Sequence, residues 1–349
     1  MKKPDTSIID QPWPENELES VDTCPYCGSN ERTLAYKDVQ DWSFYAAPGK
    51  WMYWDCIGCE ALYLNPRPKE ETIGKAYARY YTHSSNSESL IRLLKTRLRN
   101  ECFSHWLNTN VTPRLNLPKV LSFLLFPFKS FIKIPFELTK LANLPKGKLL
   151  DVGCGSGNKL QLAKQLGWNV AGLEIDPNAV TSARNKQLNV TEGSYRDLVN
   201  FVNEYDCIIC SHVLEHVYNP IEMLKLLNQS LKPGGTLLLS LPNSKSCVRQ
   251  KFGANWRGLE APRHIAIPSQ QFLIEHKLKH EFVVDCAKTF SFETIAESIR
   301  IQKRQLKLSY LDLKLSSCSL RIDQIVDVSK SDIMSLVCVK KSMTQESKL

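Results

Sequence analysis

The sequence predicts an α/β chain. Its larger part is a doubly wound, seven-stranded, mostly parallel sheet, preceded by a small cysteine-rich module and a helical connector. Three observations carry this prediction. From Lys148 onward, short apolar runs alternate with amphipathic stretches at the spacing of strand–helix–strand units, a pattern that buries a parallel sheet under helices on both faces. Ahead of it, two Cys-x-x-Cys pairs stand among Trp and Tyr residues. The 349 residues, with 43% hydrophobic and 23% charged side chains, suffice for a sizeable core and exclude disorder, collagen and coiled coil as the main architecture.

Residues 1–20 are polar and Pro-containing and read as a flexible tail. Residues 21–68 read as hairpins around a knuckle, with short alternating runs such as Lys50-Trp51-Met52-Tyr53-Trp54, closed by Asn65-Pro66-Arg67-Pro68. Residues 69–146 read as a helical connector or lid, cut into short pieces by Pro113, Pro118, Pro127, Pro135 and Pro145. Residues 147–345 form the α/β domain. Its strands are expected at Leu149–Val152, Trp168–Leu173, near Val190, Asp206–Ser211, Thr236–Leu241, near Phe282 and at Met334–Val339. Its helices are expected at Asn158–Leu166, after the cap Asp176-Pro177, from Asn219-Pro220 to about Lys232–Gly235, from about Ser269, and near Ile295.

The chain has 12 cysteines. Met1–Asp5 runs into polar residues with no apolar stretch of leader length, so reduced thiols and a cytoplasmic location are expected. The apolar run Val120–Phe128 falls short of the roughly 20 residues a membrane span needs. Cys24 and Cys27 are separated from Cys56 and Cys59 by 28 residues. Each pair can place two thiolates on one ion from a tight turn, and Pro25, Gly28 and Gly58 suit such turns, so a structural Zn2+ is expected at Cys24, Cys27, Cys56 and Cys59. Cys207 and Cys210 repeat the spacing inside an apolar strand, where residues three apart face opposite sides of the sheet. They read as core.

Asp151-Val152-Gly153-Cys154-Gly155-Ser156-Gly157 lies between a strand and a helix, where glycines let the backbone approach a ligand. The sixth position from Gly153 is Asn158, which departs from the nicotinamide fingerprint. Glu174, seventeen residues after Gly157, ends the second strand, where a carboxylate can accept both hydroxyls of a ribose. Together with Gly172-Leu173-Glu174-Ile175-Asp176, His212-Val213-Leu214-Glu215-His216-Val217 and Leu231-Lys232-Pro233-Gly234-Gly235, this loop makes residues 148–241 resemble the class I S-adenosylmethionine-dependent methyltransferases, whose fold is Rossmann-like. The resemblance implies that Gly153, Gly155 and Gly157 line the cofactor, that Glu174 holds its ribose and that Asp151 fixes its amino group. Cys154, Ile175, Ser194 and Ser211 complete the expected cofactor set. Many family members carry Asp where Ser194 stands, which weakens the adenine contact there.

The wider pattern adds the four cysteines, Asn65-Pro66-Arg67-Pro68, Tyr77 and Tyr80-Tyr81. It resembles bacterial methyltransferases of polysaccharide and natural-product sugar pathways, over most of residues 20–285. It implies a small-molecule or glycan acceptor: a sugar, nucleotide-sugar or lipid-linked glycan. His212, Glu215 and His216 follow the fourth strand, where a base or orienting pair would stand, and His264 is a rival base. Trp256 can stack on a ring face, and Arg257 and Arg263 can bind phosphate or carboxylate.

Two other functions stay open at this level: an RNA methyltransferase gripping its substrate with the zinc module, and a non-catalytic cofactor-binding partner subunit. Charge weighs against the first. Residues 1–60 carry a net −6, residues 61–146 a net +9 and residues 147–349 a net +6, so the zinc module is acidic where an RNA grip should be basic. Ile91–Arg99 is a basic amphipathic run, and Leu121–Leu138 mixes phenylalanines with Lys129 and Lys133. This segment is expected either to pack on the core or to make peripheral contact with an anionic membrane surface.

Overall fold

The computed structural model describes residues 7–78, 90–118, 135–287, 292–306 and 328–342. Two compact units divide the chain: residues 1–81, 210–228 and 239–349 form one, residues 82–209 and 229–238 the other. The units are therefore not successive stretches of sequence.

The N-terminal strands are β1 (Leu18–Glu19), β2 (Arg32–Val39), β3 (Trp51–Cys56), β4 (Leu62–Leu64) and β5 (Arg67–Pro68). β2, β3 and β4 pair antiparallel in order. Alternation in β3 buries Trp51 and Tyr53, whereas every residue of β4 is buried. β11 (Ala266–Ile267) pairs with the other edge of β4 through Ala266↔Tyr63 and Ile267↔Leu62. Residues 7–20 are not a loose tail. Ile9 and Trp13 are buried, and β1 pairs with β5 through Leu18↔Pro68 and Glu19↔Arg67. Burying an isoleucine and an indole is worth about 1.5–3 kcal/mol each, enough to order a short segment. Residues 1–6 lie outside the described residues.

Helix α1 (Leu90–Trp106) and helix α2 (Phe136–Asn143) belong to the expected connector. Most of the expected aromatic–lysine stretch, residues 121–134, lies outside the described residues. Among the described residues no helix is long and apolar enough to cross a membrane.

The strand–helix alternation then runs β6 (Lys148–Val152), α3 (Asn158–Gln165), β7 (Asn169–Glu174), α4 (Pro177–Arg184), β8 (Val190–Glu192), β9 (Tyr205–Ser211), α5 (Pro220–Ser230), β10 (Leu231–Pro242), α6 (Cys247–Phe252), β11, α7 (Gln270–Leu273), β12 (Phe282–Ala287), α8 (Phe292–Leu306) and β13 (Ile333–Lys340). The seven-stranded sheet has the order β12-β13-β10-β9-β6-β7-β8. β6, β7 and β8 are parallel, and β12 and β13 are antiparallel. Asp176 caps α4 through the N–H groups of Asn178 and Ala179, with Pro177 in the first turn. Cys207 and Cys210 are both fully buried in β9.

Two boundaries differ from expectation. Helix α5 stops at Ser230, and the chain is already extended at Leu231, so the Lys232–Gly235 bend lies inside β10, with Gly234 at φ 76°. The helix after Ser269 is one short turn, α7, continued by a π-helical turn at Ile274–Leu278.

Candidate functional site

In the unit that holds β6 and β7, the parallel register sets Asp151 beside Gly172 and Val152 beside Leu173. The chain then turns through Gly153, Gly155 and Gly157, all at positive φ. A side chain at Gly155 would meet nothing within 4 Å, so the loop borders open space. The Gly155 N–H donates to Glu174 Oε2 at 2.7 Å, and the Asp176 N–H donates to Glu174 Oε1 at 3.0 Å. These bonds fix the plane of the carboxylate and leave it lone pairs to accept more.

Asp151 is fully buried, and neither carboxylate oxygen has a hydrogen-bond partner among the described residues. Burial pushes its pKa up to about 6, against the pull of Lys159 and with help from Glu137 and Glu174. An orphaned carboxylate costs free energy unless a donor meets it. The residues therefore fit a nucleoside cofactor with a cationic amino group, since both carboxylates keep lone pairs for a donor. Cys154 is buried, and burial raises its thiol pKa, so it packs as a small apolar residue. Ile175 is 72% exposed. Ser194 caps a 3-10 turn by accepting from the Arg196 N–H at 3.2 Å, so its hydroxyl is already engaged locally. Ser211 ends β9 in the other unit.

That other unit contains the remaining candidates. His212 has φ 58°, a strained backbone for a non-glycine residue of the kind stored at functional sites. Its Nδ1 lies 3.1 Å from Glu215 Oε1, and its side chain is 50% exposed while that of Glu215 is fully buried. Burial would raise the Glu215 carboxyl, but the hydrogen bond and electrostatic pull of His212 hold it below the usual range. The pair is an imidazole with one nitrogen on a buried carboxylate. His216 Nδ1 sits 3.0 Å from the Arg263 carbonyl oxygen and 3.0 Å from the Tyr77 hydroxyl. His264 is buried with Nδ1 2.6 Å from the Gly258 carbonyl oxygen. Burial lowers its pKa to about 4 although Glu260 opposes the shift, so the ring is neutral and a weak base.

Two expectations, Trp256 and Arg263, are corrected here, and Arg257 is engaged within the chain. Trp256 presents no stacking face: it is 1% exposed, packs in a core cluster with Trp13, Trp51 and Leu259, and donates its indole N–H to Asp332 at 2.8 Å. Arg263 does not reach for a substrate anion. It is fully buried and grips Asp41 with two guanidinium nitrogens at 2.6 and 3.0 Å, with Glu260 Oε1 at 3.2 Å and the Ala76 carbonyl oxygen at 3.0 Å. Arg257 pairs with Glu260, its guanidinium lying over the Phe44 ring. Each side chain satisfies a buried group of its own chain, because an unpaired buried carboxylate is costly. Asp41 and Glu260 are residues that sequence reasoning missed. Asp41 stands 222 positions from Arg263, and no local spacing signals such a pair.

The four cysteines do converge. Cys24 Sγ lies 3.5 Å from Cys59 Sγ, and Cys27 Sγ lies 3.4 Å from Cys56 Sγ, with all four sulfurs within 4.8 Å of one another. Tetrahedral ligation at a metal–sulfur distance of about 2.3 Å needs sulfurs about 3.8 Å apart, so the donor set fits one ion. The hydrogen bond from Cys59 pulls the Cys24 thiol down to about 5.

Residues 131–284 match the family model described as "Methyltransferase domain". The match takes in β6 to β10 of the seven-stranded sheet, whose parallel strands alternating with helices are Rossmann-like. Among curated proteins the chain is similar to ubiquinone biosynthesis O-methyltransferases. The one from Xanthomonas campestris is 32% identical over 119 residues, which covers 32% of this chain and 49% of that protein. The one from Pseudomonas aeruginosa is 31% identical over 109 residues, covering 29% and 47%. The chain thus spans about half the length of the curated relatives it matches. Among solved structures it is similar to a SAM-dependent methyltransferase from Archaeoglobus fulgidus, with TM-score 0.41, 18% identity, and coverage of 63% of this chain and 99% of that one.

Proposed function

We propose that the chain is an S-adenosylmethionine-dependent methyltransferase that methylates a hydroxyl of a small acceptor of the sugar, nucleotide-sugar or lipid-linked glycan class. The observation that carries this reading is Asp151: a fully buried carboxylate with both oxygens unpartnered among the described residues, on the strand that runs into a glycine turn whose middle N–H holds Glu174. The cofactor supplies an electrophilic methyl group on a sulfonium with a good leaving group. Asp151 accepts hydrogen bonds from its amino group, and Glu174 accepts them from its ribose hydroxyls.

His212 is the proposed base. With Nδ1–H donating to Glu215, its Nε2 holds the lone pair that takes the acceptor's hydroxyl proton, while buried Glu215 fixes the ring and stabilises the imidazolium. The names of the curated relatives, O-methyltransferases, agree with an oxygen acceptor, and the sugar class rests on the wider sequence resemblance. Cys24, Cys27, Cys56 and Cys59 are proposed to hold one structural zinc ion, which keeps β3 and β4 in register. The acidic charge of the segment around them weighs against RNA as acceptor.

The test is release of S-adenosylhomocysteine from the purified chain with panels of nucleotide sugars, lipid-linked glycans and RNA, beside calorimetric binding of S-adenosylmethionine. Cofactor binding with turnover on a sugar hydroxyl is expected, with turnover lost about a hundredfold in His212→Ala. Turnover only on RNA would replace the acceptor class, and absence of cofactor binding would sink the enzyme reading.

A further inference from the structure

The proposed activity leaves two imidazoles without a task. His216 and His264 meet edge to face, ring centres 4.6 Å apart at 80°. Each Nδ1 lies on a backbone carbonyl oxygen, that of Arg263 for His216 and that of Gly258 for His264. A carbonyl oxygen only accepts, so both Nδ1 atoms carry the proton and both Nε2 atoms carry lone pairs. His264 Nε2 lies 3.7 Å from Glu260 Oε2, beyond hydrogen-bond reach and facing another acceptor.

Glu215 adds a third acceptor. Its Oε1 takes His212, and its buried Oε2 has no hydrogen-bond partner among the described residues. Glu215, His216 and His264 each bring a ligand atom within 4.8 Å of the other two. The surrounding charges pair off: Arg263 with Asp41, Arg257 with Glu260. Glu215 is left as the excess negative charge. Two imidazoles and a carboxylate gathered this closely in a largely buried place are unfavourable unless a cation sits among them.

We propose that Glu215, His216 and His264 bind a divalent first-row transition-metal ion, at a site separate from the four cysteines. Two imidazoles and one carboxylate are a donor set suited to Fe2+, Co2+, Ni2+ or Zn2+. The Nδ1–H to carbonyl bonds are the outer contacts that metal-ligating histidines use to fix tautomer and ring orientation. Metal–ligand distances of about 2.1 Å put neighbouring donor atoms about 3 Å apart, so binding draws the three side chains inward. Tyr77, 3.0 Å from His216 Nδ1, belongs to the outer contacts. The inference does not depend on methyl transfer: the cluster would bind metal whatever the acceptor.

The full chain, its zinc content measured and its cysteine site filled, is titrated with cobalt(II) chloride. One further cobalt per chain is expected, with weak visible absorption bands and no thiolate charge-transfer band. Glu215→Gln and His216→Ala should each weaken that uptake by more than about tenfold while keeping the zinc equivalent and the far-ultraviolet circular dichroism. Because Glu215 also orients His212, metal uptake and not turnover is the deciding readout. Cobalt that enters only by displacing zinc from the cysteines, or variants that bind as the wild type does, would overturn the proposal.

Discussion

The glycine-turn region around Asp151 and the polar knot around Arg263 both bury carboxylates, and they treat them in opposite ways. Asp151 is sealed in with no hydrogen-bond partner among the described residues, and burial lifts its pKa to about 6. In the knot Glu260 is also buried, yet the charges of Arg257 and Arg263 overcome desolvation and hold it far below the usual carboxylate range. Desolvation in turn would lower the pKa of Arg263, but Asp41 and Glu260 keep its charge secure. A buried carboxylate that the chain itself neutralises belongs to the architecture. One left unsatisfied is kept for something that arrives from outside.

Arg263→Ala tests this contrast hardest. It strands Asp41 in the core, leaving Glu260 to Arg257 alone, and unfolding in urea at pH 7 should show a loss of about 3–5 kcal/mol. Arg263→Lys should recover only part, because an ammonium cannot reproduce the two-nitrogen grip on Asp41. Unchanged stability with weakened acceptor binding would move Arg263 back to the substrate.

Asp151→Asn should have the opposite sign. With its folded pKa near 6 above an unfolded value of about 3.9, the carboxyl binds protons more tightly folded than unfolded. Wild-type stability therefore falls as pH rises between those two values, and it stays lower above them. The amide cannot ionise, so the ligand-free variant should gain about 1–3 kcal/mol at pH 7–8 and show no gain below about pH 4. Denaturation curves across that range check it. Affinity for S-adenosylmethionine should fall in the same variant, which would show that the stability cost is maintained for a ligand.

The smallest expected effect sharpens the comparison within the glycine-turn region. Glu174→Ala removes charged hydrogen bonds worth about 1.5 kcal/mol, so calorimetry should show cofactor affinity reduced roughly tenfold. Its unfolding free energy should change less, since among the described residues Glu174 bonds two local N–H groups.

Legibility followed distance along the chain. The span from Asp151 to Asp176 could be read because its signals are local: an apolar run, glycines with positive φ, a cap residue before a proline. The cysteine pairs could be read for the same reason, since each Cys-x-x-Cys is a single turn and only the meeting of the two turns is long-range. Trp256 and Arg263 were misread because an aromatic and an arginine after a strand look alike whether they face a substrate or the core. What separates the cases is Asp332 in one and Asp41 in the other. The ordered residues 7–20 were missed because their partners, Arg67 and Pro68, lie near the far end of the module.

By itself, then, the sequence determined the strand–helix alternation, the glycine turn with Asp151 and Glu174, and the pairing of cysteines in turns. All of these are set by backbone preference and hydrophobic period over a few neighbouring residues. Only the tertiary structure decided that Ala266–Ile267 extends the N-terminal sheet, that Arg263 serves Asp41 and that Glu215, His216 and His264 converge. Those outcomes depend on which groups meet across long stretches of chain, where burial makes every charge find a counterpart or remain open for a ligand.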